Sequence, residues 1–175
     1  MKNLLSLLLV VASLSVVILP CSAQADGTAL PEFSAVAVFS GTSIVPLRGF
    51  SENISIPTNV GGGGGAQKPT FGPAVLVKDL DTFTPTLFLD LLQGTHIQNV
   101  LISFYKIGPD GGKFTYFQIQ LFDVRVASID IKEQVTAPTT EEVRLTFSKI
   151  KWSSMENGAT AGWDVKANRP FVTSE

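Results

Sequence analysis

The chain has very little with which to do thiol or imidazole chemistry. Its 175 residues include one cysteine, Cys21, and one histidine, His96. One cysteine excludes an internal disulfide, and one histidine cannot hold a metal without partners. Ser–His or Cys–His catalysis would rest wholly on His96. The carboxylates near it in sequence, Asp81 and Asp90, stand at no ligand spacing, so His96 is expected to serve structure or surface. No catalytic, cofactor-binding or metal-ligating residue is assigned, and no cofactor is expected.

Charge is scarce as well. The 13 Lys and Arg residues face 15 Asp and Glu, for a net charge of −2. With no basic excess to neutralise phosphates, nucleic acid is excluded as an expected partner. The apolar stretch Leu4–Leu19 is interrupted by three serines and falls short of the ~18–20 residues that a membrane span needs. Lys2 before it, Pro20 behind it and small residues beyond give the layout of a secretory signal peptide. Ala23-Gln24-Ala25 presents small residues at the positions a signal peptidase reads. Cleavage after Ala25 is therefore the first expectation and cleavage after Ala23 the second. An uncleaved anchor and a lipid on Cys21 are the alternatives, the latter opposed by Pro20 just before the thiol. Loss of residues 1–25 removes Lys2, which leaves 12 basic against 15 acidic residues and a net charge of −3. The mature protein would be exported, periplasmic or extracellular, with no cysteine and no membrane span. Residues 26–175 suit one domain, enough to bury roughly 70% of the unfolded surface.

What the chain does have is 15 Gly, 10 Pro and a 45% apolar fraction, a balance that favours strands. Phe33–Phe39 reads as a strand closed by Ser40-Gly41. Leu47–Ile56 reads as another, with Phe50, Ile54 and Ile56 on one face and Ser51, Asn53 and Ser55 on the other. Gly61–Gly65 is too costly in backbone entropy to sit inside an element and is expected to be a loop. It lacks the helix and Lys-Ser/Thr pair of a phosphate cradle, and Pro69 opposes a helix there. Phe71–Leu80 is a further strand. A short helix follows, with Thr84 as N-cap, Pro85 in its first turn and Gly94 as its stop. Phe83 and Phe88 have staple spacing, and Leu87, Phe88, Leu91 and Leu92 supply the apolar stripe. About nine residues is too short to persist alone, so the helix must dock on the sheet.

Ile97–Lys106 and Lys113–Ile131 flank the turn-rich Gly108–Gly112 as a hairpin. In the second strand the apolar phase changes between Phe117-Ile119-Leu121 and Phe122-Val124-Val126. A β-bulge near Leu121-Phe122 is one account, and burial of both faces is the other. Thr136–Thr140 is expected to be a loop, Glu142–Trp152 a strand with a similar phase change, and Gly162–Lys166 the last strand. Residues 166–175 read as a loose tail.

Of the acid pairs, Glu141 and Glu142 are adjacent in a strand and point to opposite faces. Asp79 and Asp81 precede the helix and are expected to serve its positive end. Phe makes up 12 of the 16 aromatics, which signals core. Trp152 and Trp163, on neighbouring strands, are expected to pack, with an exposed ligand platform as the other reading.

The order of these pieces resembles the haemolysin-coregulated protein (Hcp) family of type VI secretion. The resemblance rests on Gly61–Gly65 before a strand, Asp81–Leu89 opening the helix, Gln93–Ile97 linking it to a strand, and the hairpin Val100–Tyr105 with Phe117–Val126. It is completed by Phe147–Trp152 with Gly162–Lys166, and covers roughly residues 45–168. It implies a compact antiparallel β-barrel with one short α-helix on its side. It further implies a non-enzymatic structural protein that forms a hexameric ring, a homo-oligomer whose rings stack into a tube and shelter secreted effector proteins. Two departures stand out. Phe39–Ile44 shortens the long loop that follows the family's first strand, and tube proteins, loaded from the cytoplasm, need no export signal. A secreted or periplasmic module binding glycan or protein through exposed Trp side chains is the alternative function.

Overall fold

The computed structural model describes residues 35–57 and 68–171. The expected signal peptide, the five-glycine run and the last four residues lie outside these described residues. In chain order the elements are β1 (Ala35–Phe39), β2 (Ser43–Leu47), β3 (Gly49–Ser51), β4 (Ile54–Ser55), β5 (Thr70–Phe71), β6 (Ala74–Asp79) and α1 (Thr84–Gln93). There follow β7 (Ile97–Ile107), β8 (Lys113–Gln134), β9 (Ala137–Thr146), β10 (Lys149–Ser154), β11 (Thr160–Asp164) and β12 (Arg169–Pro170).

All strand pairings are antiparallel, and β8 joins two arms of sheet. Its first half lies between β7 and β10 and its second half pairs with β9. One arm runs β12-β11-β10-β8-β7-β1-β2, and the other continues from β8 through β9 and β6 to β3. The chain passes from β2 to β3 at Arg48, whose backbone N–H donates to Val77 at 2.7 Å. Among the described residues no ladder joins β2 to β3, so the expected barrel is not closed by a continuous ladder. Among the described residues the fold is nonetheless the expected one, mostly strand with a single helix.

The core explains the phase changes. Ile119 and Leu121 are buried from the first half of β8, then Val124 and Val126 from the second. The shift falls at Asp123, which takes the left-handed φ of 51°. One residue in that conformation reverses the alternation and bends the strand from one arm into the other. The pairing keeps its register across Leu121-Phe122, so this left-handed residue stands in place of the bulge expected there. The register shifts of β8 lie opposite Phe104-Tyr105, between Val126 and Ser128, and between Lys132 and Gln134. Opposite it, the strand expected over Glu142–Trp152 is two strands, β9 and β10, parted at Phe147-Ser148. Val143 and Leu145 are buried before that break and Ile150 after it.

Helix α1 is docked by charge. The Lys78 ammonium lies 2.5 Å from Glu141 Oε1 and donates to Thr84 Oγ1 at 3.2 Å and the Asp79 carbonyl at 2.8 Å. Lys78 and Glu141 are both fully buried, and the Thr84 hydroxyl donates to the same Glu141 oxygen at 3.0 Å. This capture is why Thr84 is not the N-cap expected. Its side chain turns inward, Phe83 takes the cap position, and the Asp81 carboxylate accepts the N–H groups of Phe83 and Thr84. Gly94 ends the helix in the left-handed conformation, as expected. Leu87 is buried, whereas Leu92 is 80% exposed and does not belong to the docked stripe. Phe83 packs on Phe39, ring centroids 5.2 Å apart.

Four other expectations are corrected. The strand over Leu47–Ile56 is broken into β2, β3 and β4, which pair with three different partners, and Ile54 and Ile56 face solvent. Phe71 belongs to β5, separated from β6 by Gly72-Pro73, because proline cannot donate into a ladder. The loop expected at Thr136–Thr140 shrinks to a two-residue turn, Val135-Thr136, with strand resuming at Ala137. The tail is tied down as far as Phe171, whose N–H donates to Gly162 and whose ring meets Phe122 edge-on at 5.9 Å.

Candidate functional site

The left-handed turn at Asp123 pushes its carboxylate out of the sheet at the corner where β8, β9 and β10 meet. Three donors converge on it. Ser148, at the β9–β10 break, donates its hydroxyl to Oδ2 at 2.5 Å. The Ser148 backbone is held on both sides, with its N–H on Phe122 and its carbonyl accepting from Val165. Lys166 donates to the same oxygen at 3.1 Å from the turn after β11, which is fastened by the Ala167 N–H on Asp164 at 2.7 Å. His96, delivered by the left-handed stop at Gly94, places Nδ1 2.6 Å from Asp123 Oδ1.

The Arg125 guanidinium contacts His96 Nε2 on the far side of the imidazole. The Asp123 carboxyl is held well below the usual carboxylate range, first by the Ser148 hydroxyl and then by His96 and Lys166. Asp164 is likewise lowered, chiefly by the Ala167 N–H.

These side chains line a cleft of about 590 Å³ together with Ile97, Phe122, Lys149 and Ala167. A second hollow of about 380 Å³ adjoins it on the Arg125 and Thr146 side. The acid that His96 meets lies 27 positions away and is neither Asp81 nor Asp90. The arrangement is still not a nucleophilic relay, which needs the imidazole between serine and carboxylate. Here the carboxylate sits in the middle, and Ser148 gives its proton position to Asp123. Among the described residues no three His, Cys, Asp or Glu side chains gather as a metal site would.

The other sequence candidates fall elsewhere. Glu141 and Glu142 do point apart, Glu141 to Lys78 and Glu142 to Lys132 and Arg144. Asp81 serves the start of α1, and Asp79 pairs with Arg48. Trp152 and Trp163 are partly buried against the core rather than exposed as a platform. No helix among the described residues is long and apolar enough to cross a membrane.

Among the described residues the chain is an open antiparallel β-fold with one side helix and a corner stitched by charge. The chain belongs to the family described as "Type VI secretion system effector, Hcp", whose model matches residues 45–153. Solved structures agree in fold. The Hcp1 protein of E. coli EAEC 042 is 18% identical with a TM-score of 0.67, covering 75% of this chain and 96% of its own. Hcp1 of Salmonella typhimurium is 22% identical with a TM-score of 0.65, at 78% and 97% coverage. The secreted protein Hcp3 of Pseudomonas aeruginosa is 21% identical with a TM-score of 0.63, at 74% and 96%. No curated relative matches the chain.

Proposed function

We propose that this chain is a non-enzymatic tube subunit of the type VI kind, in which six copies close into a ring. The rings stack or carry effector proteins. The observation that carries the reading is the unclosed sheet in a chain of the Hcp family. Strand β2 ends one arm of the sheet, with Ile44 72% exposed on it. An unpaired strand edge is a template for another chain, and a heterologous contact of that kind closes into a ring when its rotation permits.

Residues 1–25 act in this reading as a cleaved signal peptide, and residues 26–175 as the exported domain, periplasmic or extracellular. The partly buried state of Trp152 and Trp163 gives no support to a glycan-binding module. Light scattering on the exported protein tests the assembly. A mass about six times that of one chain is expected, and a monomer at every concentration would refute it. Mass spectrometry of the exported N-terminus should find Asp26 or Gln24 first, and an intact Met1 would overturn the signal peptide.

A further inference from the structure

The cleft at the Asp123 corner has a charge imbalance that the fold itself does not use. Its two hollows are lined by three cations, Arg125, Lys149 and Lys166, and by two anions, Asp123 and Asp164. Lys166 pairs with Asp123 at 3.1 Å, and Lys149 stands 3.6 Å from Asp164. That leaves the Arg125 guanidinium against the His96 ring, with no carboxylate paired to it among the described residues. A guanidinium has five N–H donors in a planar fork, and His96 Nε2 can accept only one.

Beside the fork, the wall of the larger hollow is apolar, built from Ile97, Phe122 and Ala167. Its size of about 590 Å³ lies in the ~300–1,000 Å³ range of ordinary ligand sites. The floor is preorganised, since Asp123 is locked in a left-handed conformation by Ser148, His96 and Lys166. We infer that this cleft binds an acidic segment of another protein. A carboxylate would be received by the Arg125 fork and the Lys166 ammonium, and its aliphatic stem would lie on Phe122. One surplus positive charge suits a carboxylate better than a phosphate, which carries about two negative charges at pH 7. The inference is independent of ring formation, because it concerns a site complete within one copy.

The test is a titration of the isotope-labelled full chain, followed by NMR, with three probes. These are an N-acetylated, C-amidated Leu-Glu dipeptide, its Leu-Gln counterpart and inorganic phosphate. The Glu peptide should give saturable shifts in the amides of residues 122–125 and 164–167. The Gln peptide should bind about tenfold more weakly, the worth of one charge-assisted bidentate contact. Arg125→Gln should lower affinity for the Glu peptide by a similar factor. Lys166→Gln serves as the second variant should the first not fold, with a smaller loss expected. Absence of saturable shifts, phosphate binding as tight as the Glu peptide, or undiminished affinity in a folded variant would each overturn the inference. Light scattering on the same samples separates the source of the acid. Loss of assembled mass on peptide addition would place a neighbouring copy's carboxylate in the cleft and overturn the assignment to a foreign segment.

Discussion

Lys78 and Glu141 are the residues this fold can least afford to separate. Removing the lysine strands Glu141 in a dry interior, at a cost of about 3–5 kcal/mol, whereas replacing both with apolar groups of similar volume is often near neutral. Lys78→Met should therefore lower stability by that amount in urea unfolding, and Lys78→Met with Glu141→Leu should recover most of it. A double variant as weak as the single would show that the pair stabilises on its own account. Neither residue was legible as a partner, because 63 positions separate them. One faint signal existed, since Lys78 shares the inward phase of Ala74 and Leu76, where a lysine has no reason to be unless an acid meets it. Asp123 gives a second residue-scale expectation. Its lowered carboxyl contributes stability that is complete above the unfolded pKa, about 4, and lost as pH falls through the folded value. Thermal melts from pH 5 to pH 2 should fall less steeply in Asp123→Asn than in the parent, and equal slopes would count against this. Glu52 works in the opposite sense. Burial raises its carboxyl, so its contribution is present at low pH and lost as pH rises through the folded value. Glu52→Gln should accordingly gain on the parent at neutral pH and not in acid.

Among elements, α1 and the last strands were read with different success, for a physical reason. The helix start at Pro85 and the stop at Gly94 follow from local backbone preferences that any sequence displays. The placement of Thr84 and the exposure of Leu92 do not, because they depend on what the sheet offers underneath. Breaks in strands were harder still. The phase change in β8 was visible in the apolar pattern, yet the pieces β2, β3 and β4 were not, since each answers to a different neighbour. The small β12 was missed altogether, having only two residues; it pairs with Trp163 and Asp164, and Gly162 lets Phe171 approach beside them. A Cβ on Gly162 would come within 2.7 Å of the Phe171 carbonyl and 2.9 Å of its ring. Gly162→Ala should therefore detach residues 169–171, seen as fast amide exchange there, while Val100 and Leu121 stay protected. Unchanged exchange at Phe171 would contradict that clasp. Gly94→Ala makes the contrast. Nothing lies within 4 Å of its Cβ position, so only the left-handed strain of about 1–2 kcal/mol is expected.

For the whole molecule, the consequential fact is that among the described residues the sheet stops at β2 and β3 without closing on itself. Ile44→Lys places a charge on the outermost strand and should reduce the assembled mass in light scattering while leaving the circular dichroism spectrum unchanged. An unaltered mass would move the contact to another surface. The family and the mainly-β architecture were readable because the order of many weak pieces is jointly specific. The corner at Asp123 was not, as the three side chains that donate to it come from positions between 25 and 43 residues away from that aspartate.

One long ribbon, β8, is shared by both arms of the sheet. Neither arm can then be lost while the other survives, since a slip anywhere along those 22 residues disturbs every neighbour at once. Heat should melt the domain in one cooperative step, with calorimetric and van't Hoff enthalpies in agreement, and no half of it should be a viable fragment.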